Sequence, residues 1–170
     1  MTFGFQAEQQ ANITIDSDSG WPVLSTAEFR QHRRIPEFYE ETVLADSLNR
    51  SVAEIQQQVL TIATGDYTDV APTLPFTLAL GVPVFNDMQT SIYRGAVYAR
   101  SHADLMGYFS AVDQKDAGNN KAQDQDQQNA ILAQSNRSVR LLLGLGRAGV
   151  HALWATTALK PNYNNLANTY

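Results

Sequence analysis

The sequence predicts a mainly α-helical protein, a small bundle built on two or three long antiparallel helices. Between residues 86 and 112, apolar residues recur every three or four positions along one side of a helix, and a second stripe lies on a neighbouring side. Between residues 38 and 63, a single apolar stripe has the same spacing. A helix that is apolar on two sides packs against elements on both, so residues 86–112 should form the centre of the bundle. Their first stripe comprises Met88, Ile92, Ala96, Ala99, Ala103 and Met106.

The composition is typical of a single domain that folds without disulfide bonds. A chain of 170 residues can bury a core large enough to fold alone. The absence of cysteine excludes disulfides and thiolate metal sites. Neither a long apolar run nor a secretory leader is present, so we expect no membrane partner and synthesis and use in a cytoplasm.

Charge is distributed unevenly along the chain. All 17 acidic residues lie at or before Asp126, whereas four of the 12 basic residues follow it. The first 126 residues therefore carry a net charge of −9 and the remaining 44 carry +4. This split indicates two surfaces with different partners. A helix that carries its charges on one side is the simpler alternative.

The N-terminal residues 1–20 are expected to form an extended arm that orders only against another element. Within them only residues 12–16 alternate like a strand. The predicted helical domain, residues 21–150, follows. Near its start, Ser25 and Glu28 have the spacing of a capping box, which predicts a short helix.

A proline-rich segment, residues 64–85, separates the two long helices and alternates with a period of two, which predicts an extended projecting loop. Pro72, Pro75 and Pro83 exclude a central strand but permit an edge strand. We expect the apolar side chains of this loop to contact a neighbouring subunit, and folding back over its own core is the alternative. The candidate inter-subunit residues are Leu74, Phe76, Leu78, Leu80, Val82 and Val84.

The last third of the chain begins with a polar stretch, residues 113–128, which should form a solvated turn leading into a helix over residues 130–148. The inward residues of this helix would be Ile131, Leu132, Val139, Leu142 and Leu143. Residues 151–170 are apolar and aromatic, lack acids and are interrupted by Pro161, which favours an extended tail that docks on another protein. Folding of this tail onto its own helices stays open. The candidate docking residues are Leu153, Trp154, Leu159, Tyr163, Leu166 and Tyr170.

No constellation in the sequence predicts catalysis, a cofactor or a metal. Residues 144–149 match GxGxxG, but a predicted helix precedes them and no acid follows them to hold a ribose. The three histidines lie in separate segments, without a metal-binding spacing or a neighbouring nucleophile. The arginines near residues 30–34 are too few for a dedicated nucleic-acid surface. We therefore expect no enzyme activity, no cofactor and no catalytic or metal-binding residue.

Several short motifs resemble the head completion/stabilisation proteins of temperate contractile-tailed phages, which form the adaptor layer between portal and tail. The resemblance extends from about Ser19 to His151. Its most specific part is Tyr93-Arg94-Gly95-Ala96-Val97-Tyr98-Ala99, followed by Ala103-Asp104-Leu105. Weaker motifs are Ser19-Gly20-Trp21-Pro22, Leu48-Asn49-Arg50-Ser51-Val52, Ala117-Gly118-Asn119-Asn120 and Leu143-Gly144. The loop over residues 71–84 and the extension after Val150 depart from the family pattern.

The resemblance implies a mostly helical adaptor that assembles as a dodecameric ring beneath the portal protein. Such an adaptor would lie in the virion neck, stabilise the DNA-filled head and offer the surface on which the tail docks. It would bind a tail terminator or another neck protein, and DNA would pass through its channel without sequence-specific binding. Adaptors of this kind commonly attach to the portal through their C-terminal segments.

Three other roles remain open from the sequence. The chain could be a different neck protein such as a tail terminator, a small helical DNA-binding regulator, or a soluble enzyme of unknown type. A regulator would need clustered base-reading side chains, whereas the arginines of this chain are dispersed. An enzyme would need a cleft with perturbed acids.

Overall fold

Helices dominate the residues that the computed structural model describes, which are residues 12–66, 72–112 and 121–145. The helices are α1 (Thr26–Arg33), α2 (Glu41–Ala63), α3 (Asp87–Val112) and α4 (Lys121–Leu142). Two antiparallel pairs of short strands accompany them: β1 (Thr14–Ile15) with β2 (Leu24–Ser25), and β3 (Thr77–Ala79) with β4 (Val82–Val84). The prediction of a mainly helical fold is confirmed. None of these helices combines the length and apolar character needed to cross a membrane.

The central position of α3 is visible in its burial. Six consecutive residues, 96–101, are all buried, so this part of the helix is covered on every side. Helices α1, α2 and α4 all pack against α3. The prediction that Met88 packs inward is wrong. Met88 lies in the first turn of α3 and is 69% exposed.

Small polar side chains join α2 to α3. The hydroxyls of Ser47 and Ser101 lie 2.8 Å apart, and both residues are fully or almost fully buried. Beside them Arg50 donates to Asp104 over 2.7 Å, which raises the pKa of the Arg50 guanidinium. Because serine is short, the two helix backbones can approach closely at this point, and their hydroxyls satisfy each other.

Helix α4 begins and ends earlier than the sequence predicts. It starts at Lys121, nine residues before the predicted start. Within the helix, Gln128 donates to the carbonyl of Ala103 (2.8 Å) and Ser135 donates to the carbonyl of Ala96 (2.8 Å). These polar contacts hold α4 on α3 where apolar periodicity is missing. Leu132, which the pattern assigned to the interior, is 39% exposed.

The end of α4 is fixed by a glycine. The amide of Leu145 donates to the carbonyl of Arg140, the amide of Gly144 donates to that of Leu141, and Gly144 has φ +68°. This double hydrogen bond is the Schellman arrangement, in which a left-handed glycine satisfies the last carbonyls of a helix. Gly144 therefore belongs to a helix terminus, and residues 146–149 of the GxGxxG match lie outside the described residues.

The start of the described chain pairs with its own domain. Ile15 lies opposite Leu24 in the β1–β2 pair, and both side chains are buried. Ser25 accepts a hydrogen bond from the amide of Glu28 at the start of α1, as the capping pattern predicts. Residues 12–20 of the expected arm are therefore folded against the helical body, and residues 1–11 lie outside the described residues.

Buried arginines connect the helices, and no pattern in the sequence predicts which arginines are buried. Arg100, on α3, donates to Asn136 on α4 (2.8 Å) and to Glu54 on α2 (3.3 Å). Arg30, on α1, binds Glu41 and also donates to the carbonyl of Tyr39. A buried guanidinium needs partners that offset its lost hydration, so these ion pairs and hydrogen bonds fix how the helices lie on one another.

Stability is expected to depend on the protonation of His102, a half-buried residue of α3. Burial, together with the positive charge of Arg33, lowers the pKa of His102 in the folded protein. The unfolded chain therefore binds this proton more readily, and stability should fall as the pH drops through the ordinary histidine pKa. Melting temperatures measured between about pH 7.5 and 5.5 should fall less for His102→Gln than for the unchanged protein. Equal slopes would contradict this assignment.

Candidate interaction surface

The proline-rich segment is a hairpin and not a continuous extended loop. Strands β3 and β4 pair with Ala79 opposite Val82, so only Leu80 and Gly81 form the turn. Their φ angles are +51° and +82°, and a two-residue turn with two positive φ angles matches the twist of the flanking strands. The period of two is therefore present, but the chain reverses direction in its middle.

The hairpin divides the six predicted inter-subunit residues into two groups. Phe76 is buried, and Leu74 and Val82 pack partly buried against the core. Leu78, Leu80 and Val84 are exposed, and Leu80 is fully so. Half of these side chains therefore cover their own subunit and half face outward, so the six do not form one continuous apolar row.

A cluster of aromatic rings packs between the base of the hairpin and α3. Phe85 contacts Phe76, Trp21 and Tyr93 with ring centroids 5.2, 5.8 and 5.9 Å apart, respectively. The side chain of Gln89 donates to the carbonyl of Pro75 (2.7 Å), which holds the strand that leads into β3. These contacts fix the base of the hairpin on α3, so its exposed tip is presented by a rigid support.

A groove of ≈ 640 Å³ lies beside the hairpin. One wall is the turn 18–22, and the other is formed by hairpin residues 79–84, with Phe85 and Thr90 completing the lining. Gly20 has φ +83°, and a Cβ at this position would lie 3.5 Å from Val82, so the turn packs directly against the hairpin. The sequence identified Trp21-Pro22 only as part of a motif, because contact between residues so distant in the chain leaves no periodic signal.

The exposed apolar side chains of the hairpin and of the first turn of α3 are together called the hairpin surface. It consists of Leu78, Leu80, Val84 and Met88. Leu78 and Val84 extend from opposite faces of the hairpin, and Leu80 and Val84 line the groove. Leu80 is unusual because a bulky side chain in the left-handed region costs about 1–2 kcal/mol, and asparagine is preferred at this position of the turn. A strained, fully exposed leucine contributes nothing to the fold of its own chain, so its chemistry fits contact with another molecule.

The predicted docking residues of the tail, 151–170, lie outside the described residues. In the described part of the chain, no three histidine or acidic side chains are grouped to hold a metal ion. The hydrogen-bonded polar residues of this part, such as Ser47 and Arg100, link one helix to another.

Comparison with known proteins identifies the family to which the chain belongs. A family model described as phage head completion protein (GPL) matches residues 15–153, which include all helices of the described chain and the hairpin. Neither a curated protein nor a solved structure matches the chain. The family is structural and non-enzymatic, and its members are virion components. Because the match covers most of the 170 residues, the chain belongs to the phage head completion protein (GPL) family.

Proposed function

We propose that this protein is a head–tail connector adaptor that assembles as a dodecameric ring beneath the portal. It would stabilise the DNA-filled head, continue the DNA channel and provide the surface on which a tail terminator or another neck protein docks. The observation that carries this proposal is the family match over residues 15–153. A helical body tied together by buried arginines would supply a rigid ring component.

The hairpin surface is proposed to contact the neighbouring subunit. A closed ring needs two different patches on each subunit that fit each other. Leu80 and Val84, which both line the groove, provide one apolar patch, which projects from a support fixed on α3. Strain at Leu80 favours this role, because such strain persists in a chain when a contact elsewhere offsets it.

The tail, residues 151–170, is proposed to dock on the portal. It carries apolar and aromatic side chains, and Lys160 is its only charged side chain if His151 is neutral. Most of the tail lies beyond the family match, which ends at residue 153. Trp154 and Tyr163 would be its anchors, since large aromatic side chains dominate the binding energy of many interfaces.

Passage of DNA without sequence-specific binding fits the use of the described arginines. Arg30 and Arg100 are buried in ion pairs, and Arg33 donates to the carbonyl of Gly95. These side chains are engaged within the protein, which argues against the alternative of a DNA-binding regulator. The acidic excess over the first 126 residues would repel DNA from a channel wall.

Sedimentation of the purified protein with and without the portal tests this proposal. We expect a folded monomer or weak oligomer alone and a ring when the portal is added, because the central stripe of α3 is already satisfied within the chain. A stable ring at micromolar concentration without the portal would contradict the templated assembly. Binding to the tail tube in place of the portal would support the tail-terminator alternative.

A further inference from the structure

The turn between α1 and α2, residues 36–40, carries the most exposed aromatic side chain among the described residues. Phe38 is 76% exposed, and the centroid of its ring lies 4.3 Å from that of Tyr39. The amide of Tyr39 donates to the carbonyl of Pro36 (3.4 Å), so the chain reverses here and Phe38 lies at the tip. A single exposed apolar side chain needs no partner on its own. What distinguishes Phe38 is the way its turn is held.

A buried arginine holds this turn on both sides of Phe38. Arg30, which is 7% exposed, donates to the carbonyl of Pro36 and to that of Tyr39 (2.8 Å). The same guanidinium binds the carboxylate of Glu41, in the first turn of α2. One planar guanidinium therefore fixes the turn at three points. Because the turn is already ordered, little conformational entropy is lost when a partner buries Phe38.

Acidic side chains border this aromatic ring. Glu37 and Glu40 are both exposed, and neither side chain forms an ion pair within the described residues. An apolar ring bordered by negative charge is complementary to an apolar pocket with lysine or arginine at its rim. The groove beside the hairpin has Asp18 in its lining and no basic side chain, so like charges oppose docking of Phe38 in the groove of a second copy.

The turn lies at the end of the helical body that is remote from the hairpin. It leads into the start of α2, and Ser47, near that start, contacts Ser101 in the second half of α3 (2.8 Å). The hairpin, in contrast, leads into the start of α3. At about 1.5 Å of rise per helical residue, the turn and the hairpin are about 20 Å or more apart. Two different proteins can therefore occupy them at the same time.

We propose that the turn 36–40 is a second docking surface, which inserts Phe38 into an apolar pocket with a basic rim on a protein other than this chain. Glu37 and Glu40 pair with that rim and orient the partner. The assignment of this partner to the tail side of the neck rests on the proposed function, in which the hairpin surface meets a neighbouring subunit and residues 151–170 meet the portal.

Joining of purified phage tails to DNA-filled heads tests this surface. Heads are produced with Phe38→Ser in place of the unchanged protein, and tails of the same phage are added in solution. We expect joining to slow at least about tenfold, because loss of an aromatic anchor weakens an interface by this much or more. The melting temperature of the free protein and its binding to portal rings should stay unchanged, since Phe38 is exposed and makes no contact with the helices.

Leu141→Ser is the matched control, because Leu141 is also strongly exposed but lies on α4. It should join tails as the unchanged protein does. Joining of Phe38→Ser heads at the unchanged rate would overturn the proposal, and so would loss of portal binding by this variant. Neither result would remove the ring beneath the portal, which is measured with the unchanged protein in the absence of phage tails.

Neutral variants test the basic rim. Glu37→Gln with Glu40→Gln should slow tail joining about threefold at low salt and have little effect at high salt, because salt screens exposed charges. Unchanged joining at low salt would overturn the assignment of a basic rim.

Photo-crosslinking identifies the partner directly. Phe38→p-benzoylphenylalanine keeps an aromatic side chain at the tip of the turn and forms a covalent bond with a neighbouring group when complete particles are irradiated. We expect a product with a protein of the tail side. A product with a second copy of this chain or with the portal, or no product in particles that carry tails, would overturn the proposal.

Discussion

Deleting residues 155–170 is expected to abolish portal binding while leaving the helicity and melting temperature of the isolated protein nearly unchanged. The deletion removes Tyr163, Tyr170 and most of the apolar tail, but none of the described residues that pack α1 to α4 together. Loss of aromatic anchors typically costs at least about 2 kcal/mol each, and losing several exceeds the margin of most interfaces. Circular dichroism and co-sedimentation with the portal would measure the two effects separately.

The matched control for the deletion retains its length. Asn164→Ser with Asn165→Ser alters only polar residues of the tail and should bind the portal as the unchanged protein does. A truncated protein that still binds the portal with full affinity, or that loses its fold, would show that the tail is not the docking segment.

Leu80→Asn is expected to stabilise the free monomer and weaken the ring. Asparagine tolerates the positive φ of this turn position, so the free energy of unfolding should rise by about 1 kcal/mol. The same change removes an apolar contact worth about 1.5–3 kcal/mol at each interface if fully buried, or more than tenfold in subunit association. Thermal melting would report the first effect, and sedimentation on the portal would report the second.

Leu141→Asn is the control for Leu80→Asn, because Leu141 is another strongly exposed leucine but lies on α4. It should leave ring assembly unchanged. If Leu80→Asn assembled as well as the unchanged protein, the hairpin surface would not be the inter-subunit contact.

Local signals explain which parts of the fold could be predicted. The capping box at Ser25 could be predicted because it involves only residues that are close in the sequence. The two-sided apolar pattern of α3 predicts packing on both sides of the helix, whichever elements provide the contacts. The start of α4 could not be found in this way, because Gln128 and Ser135 hold it by hydrogen bonds to backbone carbonyls of α3. A search for apolar periodicity does not detect such contacts.

Of the exposed apolar residues at the hairpin, the sequence pattern identifies Leu78, Leu80 and Val84 but assigns Met88 to the interior. The apolar alternation from Leu74 to Val84 is visible in the sequence, but the turn is Leu80-Gly81 in place of the Asn-Gly that usually marks a two-residue hairpin. Without that signal an extended strand and a hairpin have the same pattern. The groove wall formed by residues 18–22 depends on contact with Val82, which is distant in the chain.

An electron cryomicroscopy reconstruction of the virion neck tests the central claim most directly. The account predicts a ring of this protein directly beneath the portal, with each hairpin surface against the neighbouring subunit and each C-terminal tail in contact with the portal. A reconstruction that placed the protein at another level of the particle, without contact to the portal, would contradict the account.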